Sequence, residues 1–415
     1  MSNKPLDREF IHEIKLMKTE FFRSLILIGF VFFSNHLNAQ GWTQISDFPS
    51  TARDDGTYFT IGSITYCGTG LNSSWNPTND FYAFDMISES WSTISELPTN
   101  ESRQYSNAFS SSTHGFLFGG LNATGYLNDL WKYDPILDTW TELTPMPSVG
   151  RSGASCFTIG DTAYIVGGQT QNNAAVSEVW SYSISGDSWI QKNTLPDSLW
   201  RASATSHQGK GYLVFGANNS GVYQNKLYQY TPLTDTWLQL SNFPGVGRTY
   251  SGIGILSDEI ILVAGRDSIG NSYNDMWEYS ITSDNWILSV NLPSNQRRGG
   301  ICFSSNTAIY YSTGIDLNDT RLTETWKYDL FLSTKTETWN EFIVYPNPAK
   351  DFLRIKSSSI EGGLHYQISS LDGTIIQSGK TDIEKSIQLN PIEKGNYLMT
   401  IQSESQRSTK KIVIF

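Results

Sequence analysis

Asn128-Asp129-Leu130-Trp131-Lys132-Tyr133-Asp134 is followed by Trp140, Pro147 and Arg151, and the same arrangement returns along most of the 415-residue chain. Trp42, Trp91, Trp140, Trp189, Trp237 and Trp286 are spaced by 49, 49, 49, 48 and 49 residues. Seven residues after each stands a proline: Pro49, Pro98, Pro147, Pro196, Pro244 and Pro293. An arginine comes next in every copy, at Arg53, Arg103, Arg151, Arg201, Arg248 and Arg298, and opens a strand-like run. A second such run ends in or near glycine, at Gly68, Gly119-Gly120, Gly167-Gly168, Gly216, Gly265 and Gly314. A third carries Tyr82, Trp131, Trp180, Tyr228, Trp277 or Trp326. Self-similarity at this period marks stacked units that cannot bury their faces alone.

These residues resemble the kelch repeat, whose units run from an arginine-led strand to a final tryptophan strand. The resemblance covers roughly residues 41–335 and implies an all-β fold, a six-bladed kelch-type β-propeller with four strands per blade. Register sets the closure. Nine residues after Trp326 stands Lys335 in place of a sixth final-strand tryptophan, while Gly41–Pro49 is a final strand with no preceding three. The N-terminal strand is therefore expected to complete blade 6 and remove an open sheet edge. A rival closure uses Trp339.

Composition narrows the function classes. Hydrophobic residues make up 39% and charged residues 17%, too little apolar material for a membrane bundle. Net charge is −11, and the segment between residues 40 and 341 holds 15 basic against 29 acidic side chains, or −14. Nucleic acid is excluded as a partner by that balance and by the lack of a basic run. Cys67, Cys156 and Cys302 lie among strand-like hydrophobic residues and read as small buried apolar groups rather than a disulfide framework.

Both ends speak of export. Lys18 and Arg23 precede an apolar run from Leu25 to Phe33, and Ser34-Asn35-His36 leads to Ala39. Residues 1–39 are expected to be a cleaved signal peptide, with residues 1–16 upstream of a true start at Met17. The alternative is a membrane anchor, but the run is about half the ~20 residues a span needs. No transmembrane span is expected in the mature protein. After a linker at 336–341, residues 342–415 contain Tyr345-Pro346-Asn347-Pro348-Ala349-Lys350-Asp351, the turn Leu371-Asp372-Gly373, Lys394-Gly395-Asn396-Tyr397 and the end Lys410-Lys411-Ile412-Val413-Ile414-Phe415. This segment resembles the C-terminal sorting domain of type IX secretion substrates, a small immunoglobulin-like β-sandwich. The resemblance implies the type IX secretion machinery as partner, and delivery to the outer surface or the surroundings of a two-membrane bacterium. The alternative is a plain immunoglobulin-like accessory module.

Candidate ligand contacts gather on the face where the arginines begin. Arg53, Arg103, Arg151, Arg201, Arg248 and Arg298 have two readings. In kelch domains arginines at this position often face the ligand, where a guanidinium fork suits carboxylates; a sixfold recurrence suits scaffolding equally. Trp75 and Trp200 fall outside the repeat positions and read either as platforms for a sugar ring or peptide or as caps over gaps between blades. A glycan or protein ligand is expected, with no cofactor, no metal and no catalytic residue, since His114 and His207 are the only histidines of the repeats. Glu101, Asp197, Asp267 and Asp316 read as solvated loop acids. The alternative function is a sugar epimerase resembling the sialic acid mutarotases, which share six-bladed kelch folds.

Overall fold

The computed structural model describes residues 41–329, 343–356, 364–370, 375–389, 391–402 and 407–415. The expected signal peptide, Lys335, Trp339, the linker and the Leu371-Asp372-Gly373 turn lie outside these residues. The chain forms two units, one ending at Ser333 and the other beginning at Thr334. Among the described residues the only helical element is the single turn Thr99–Glu101, and no helix is long and apolar enough to cross a membrane.

The first unit is built of six antiparallel four-stranded blades. Blade 2 shows the pattern: Asn107–Ser110 is innermost, followed by Gly115–Asn122, Gly125–Asp134 and the outer strand Thr139–Glu142. Blade 6 consists of Ile301–Ser304, Ala308–Ser312, Thr325–Asp329 and, as its outer strand, Trp42–Ile45 from the N-terminal end. Trp42 pairs with Tyr328 and Ile45 with Thr325, so the ring closes on itself.

The repeat residues hold neighbouring blades together. Trp140 Nε1 donates to Ser95 O of the preceding blade at 2.9 Å, and Trp91, Trp189 and Trp286 donate to Ser46, Thr144 and Ser241 in the same manner. In the third strands, Tyr133, Tyr182, Tyr230 and Tyr279 donate to Asp138, Asp187, Asp235 and Asp284. Asp138 also accepts the Ser95 N–H across the blade boundary at 2.8 Å. Each buried aromatic removes roughly 150–250 Å² from water, worth about 4–6 kcal/mol gross as an upper bound.

The glycine signal resolves into a pair of left-handed residues at or just beyond the end of each second strand. Thr69, Gly119, Gly167, Phe215, Ala264 and Thr313 hold φ between 55° and 70°, which other residues tolerate at a cost. The following position, at Gly70, Gly120, Gly168, Gly216, Gly265 and Gly314, holds φ near 100° and is glycine in all six blades. In blade 1 the repeat glycine is therefore Gly70, two residues beyond the expected Gly68.

The second unit has a three-stranded sheet, Ile343–Tyr345, Phe352–Lys356 and Ile387–Gln388, and a four-stranded sheet ordered Ile375–Thr381, Leu364–Ser369, Gly395–Gln402, Arg407–Ile414. Leu353, Ile355, Leu364, Ile368, Met399, Ile401 and Ile412 form its core. Asn347 explains part of the opening motif: its Nδ2 donates to Lys411 O and its Oδ1 accepts the Val413 N–H, both at 2.9 Å, pinning the last strand.

Candidate functional site

Four consecutive residues from every blade, beginning at Asp55, Tyr105, Gly153, Arg201, Tyr250 and Gly299, line an axial cavity of about 200 Å³. These six leading residues all hold φ between 56° and 66°. Their backbones also link in series around the channel, from Tyr250 through to Arg201: Asp55 donates to Gly299, Tyr105 to Asp55, Gly153 to Tyr105, Arg201 to Gly153 and Gly299 to Tyr250. The fold fixes the backbone here but leaves the side chain free, so chemistry can differ from blade to blade at one end of the channel.

The structure separates the six arginines of the sequence pattern into two groups. Arg53, Arg103, Arg151 and Arg248 are buried inside their blades, 0 to 4% exposed. Each donates Nη1 to a carbonyl 16 residues on and pairs with an acid of the third strand: Arg53 with Asp80 at 2.6 Å, Arg103 with Asp129 at 2.9 Å, Arg151 with Glu178 at 2.7 Å and Arg248 with Asp275 at 2.6 Å. Their Nη groups are spent on the scaffold. In blade 6 this position belongs to Arg297, which pairs with Glu324, rather than to Arg298. In blade 4 it belongs to Leu199, whose carbonyl accepts the Gly168 N–H just as Arg103, Arg248 and Arg53 accept those of Gly70, Gly216 and Gly314. Arg201 and Arg298 thus occupy a different place in the repeat, at the mouth of the channel.

There Arg201 lies among aromatic faces. Its guanidinium carbon is 3.8 Å from the Trp200 ring centroid, 4.2 Å from that of Tyr250 and 4.3 Å from that of Tyr105. Arg298 lies 5.0 Å from the Tyr250 ring and 3.4 Å from Asp54, and Asp54 also accepts Arg321 Nε at 2.6 Å. Arg321 in turn stacks 4.1 Å from the ring of Trp75, which is 58% exposed. Both tryptophans singled out in the sequence therefore join the mouth through a cation–π contact.

Asp55 is the pivotal acid. Burial, with the charge of adjacent Asp54 second, pushes its carboxyl up to about 7, against the opposing pull of Arg201, Arg298 and the Tyr105 hydroxyl. Several polar atoms of the mouth residues and their chain neighbours are buried without a protein partner: Asp55 Oδ1, Arg201 Nε and Arg321 Nη2, with Gln104 Oε1 beside Tyr105 and Thr249 Oγ1 beside Tyr250 in the chain. Unsatisfied groups of this kind gathered at one cavity mouth suit a polar ligand that supplies both acceptors and donors.

The other candidates are engaged elsewhere. Glu101 pairs with Arg103, Asp197 with Lys226 and Tyr228, and Asp267 and Asp316 accept backbone N–H groups of their own loops. Cys67, Cys156 and Cys302 are free thiols, the last two on the channel wall. Among the described residues no group of three or more His, Cys, Asp or Glu side chains is placed to hold a metal ion. Asp54, Asp55, Tyr105, Tyr250 and Arg321 were not singled out in the sequence. The available signal was disagreement: two residues after the buried arginine position, six copies carry Asp, Tyr, Gly, Arg, Tyr and Gly.

Residues 64–265 match the family model described as the Attractin/LZTR1 beta-propeller, and residues 343–415 match the Secretion system C-terminal sorting domain. A solved structure titled "Structure of YjhT" aligns with a TM-score of 0.60 at 17% identity, over 68% of this chain and 95% of that one, a likeness of fold. No curated protein matches the chain. The sorting domain marks the protein for export by the type IX system, to the cell surface or the extracellular space. The chain joins a kelch-type β-propeller to a Por-type secretion sorting domain.

Proposed function

We propose that this is a secreted or cell-surface binding protein whose propeller takes a glycan at the channel mouth, after residues 1–39 have served as a cleaved signal peptide. One observation carries the reading: the faces of Trp200, Tyr105 and Tyr250 around Arg201, flanked by Trp75 on Arg321, beside buried polar atoms without protein partners. Aromatic faces take the apolar side of a sugar ring, and fixed polar groups take its hydroxyls. A flat protein epitope would use the broad loop face instead and leave the channel mouth unfilled. A glycan array probed with the full chain and with Trp75→Ala and Trp200→Ala tests this. Binding should fall about tenfold or more in each variant, since loss of one stacking partner is worth on the order of 1–2 kcal/mol. A signal unchanged in both would remove the mouth from the binding site.

A second reading, an enzyme resembling the sialic acid mutarotases, draws on Asp55 alone. A carboxyl poised near neutrality can give and take a proton, which ring opening of a sugar requires. Proton NMR of sialic acid anomers added to the same samples separates the two, because a binder leaves their interconversion rate unchanged.

A further inference from the structure

We propose that the channel mouth is a proton-coupled anion site: a carboxylate-bearing ligand seats against Arg201 with protonated Asp55 beside it, so that each bound anion brings a proton with it. The inference rests on the binding reading above and names the ligand's charge and its linkage.

Charge at the mouth supports an anion. Arg201, Arg298 and Arg321 face Asp54 and Asp55, and Asp54 is already shared by Arg298 and Arg321. With Asp55 protonated the cluster carries two positive charges in excess, and with Asp55 ionised one, within a segment whose net charge is −14. Unpaired donors point the same way. Arg201 Nε and Arg321 Nη2 are buried with no acceptor, and a carboxylate offers lone pairs to both kinds of group.

The proton follows from the groups around Asp55. Asp54 faces it from its own strand, Arg201 from blade 4, Arg298 from blade 6 and the Tyr105 hydroxyl from blade 2. Asp55 is 6% exposed, and its Oδ1 has no partner. An incoming anion adds a third negative group to a site that already strains to hold Asp54 and Asp55 ionised together. Protonation of Asp55 relieves that repulsion and turns an acceptor into an O–H donor aimed at the ligand. No other titrating group is needed. His114 and His207 lie by the turn between first and second strands, at the far end of their innermost strands from the mouth.

Isothermal titration of the full chain with acetate and with D-glucuronate tests this, using methyl glucuronate ester and D-glucose as uncharged controls. Both carboxylates stay ionised from about pH 6 to about pH 8.5, so any change in affinity belongs to the protein. Expected is saturable binding of a carboxylate at the lower pH, weakened about tenfold or more at the higher one, with uptake of up to about three-quarters of a proton at about pH 7.5 when buffers of different ionisation enthalpy are compared. Arg201→Gln should lose the binding, and Asp55→Asn should keep it while losing its pH dependence; thermal unfolding checks that both variants fold. Carboxylates that fail to bind at the lower pH, or that bind equally at both, overturn the proposal, as does pH dependence that survives in Asp55→Asn. Neutral glycans bound through Trp75 and Trp200 without any carboxylate effect would sink this inference and leave the binding function standing. Carboxylates bound with an empty glycan array would do the reverse.

Discussion

Asp55 shows how the repeat concentrates cost at one residue. The ring of left-handed backbones places its side chain in the channel, where a carboxylate is poorly solvated and shares space with Asp54. An unfolded aspartate titrates near 3.9, whereas Asp55 in the fold titrates at about 7. Between those values the folded chain retains a proton that the unfolded chain has lost, so stability declines as pH rises through the window. Above it the loss reaches a ceiling of about 4 kcal/mol. Asp55→Asn escapes that loss. Urea unfolding should find the variant more stable than the parent at about pH 8, by up to about 4 kcal/mol, with the gap closing towards about pH 4; a gap independent of pH would refute the assignment. None of this was legible in the sequence, where Asp54-Asp55 is simply an acidic pair after an arginine. The arginine itself drew attention because it recurs, and recurrence turned out to accompany burial. Where the copies differ, at Asp55, Tyr105 and Arg201, the scaffold has no demand to make and the site gathers.

Blade 4 departs from its neighbours in a coordinated way. Its arginine position is Leu199, 2% exposed, and the acid expected on the third strand is replaced by Lys226. Lys226 then takes Asp197 at 2.9 Å, and Tyr228, standing where four blades have tryptophan, donates to the same acid. The buried ion pair of the other blades is thus exchanged for a leucine and a surface pair. A buried pair is stable only as a pair, so the two positions must change together. Leu199→Arg alone should destabilise the chain by about 3 kcal/mol, because the new cation would meet Lys226. Lys226→Asp alone leaves Asp197 facing a like charge and costs on the order of 1 kcal/mol. Together the substitutions rebuild the pair, and a double-mutant cycle by urea unfolding should return a favourable coupling of about 1–3 kcal/mol; additive effects would contradict the equivalence of Leu199 with Arg151. The sequence hid this exchange. Arg201 stands five residues after Pro196, as Arg103 does after Pro98, so it passed for the repeat arginine until backbone pairing placed it two positions later.

At the scale of the molecule, the architecture was written in the text almost residue for residue, because an aromatic and a proline returning every 48 or 49 residues leave one way to bury them, by stacking blades in a ring. What periodicity says least about is the seam, where chain order and spatial order part. There Trp42–Ile45 pairs with Thr325–Asp329, and Trp42 Nε1 donates to Val290 O of blade 5, the same staple that Trp91, Trp140, Trp189 and Trp286 make to the blades before them. Phe48 N–H also donates to Thr323 O. Across the same seam, at the mouth, Asp54 of blade 1 holds Arg298 and Arg321 of blade 6. Removing residues 41–49 would strip the outer strand from blade 6, expose the Thr325–Asp329 edge and the faces of Trp326 and Tyr328, and leave that seam held only near the channel mouth, by the Asp55–Gly299 and Gly314–Arg53 backbone bonds and the Asp54 ion pairs. The truncated chain should lose its single sharp unfolding transition in calorimetry and elute as aggregates, because an open edge pairs readily with another copy. A soluble monomer that unfolds as cooperatively as the parent would mean that blade 6 is completed by some other segment. A synthetic peptide of residues 41–49 added in trans should restore the sharp transition in proportion to its concentration, since only the closed ring holds a place for it.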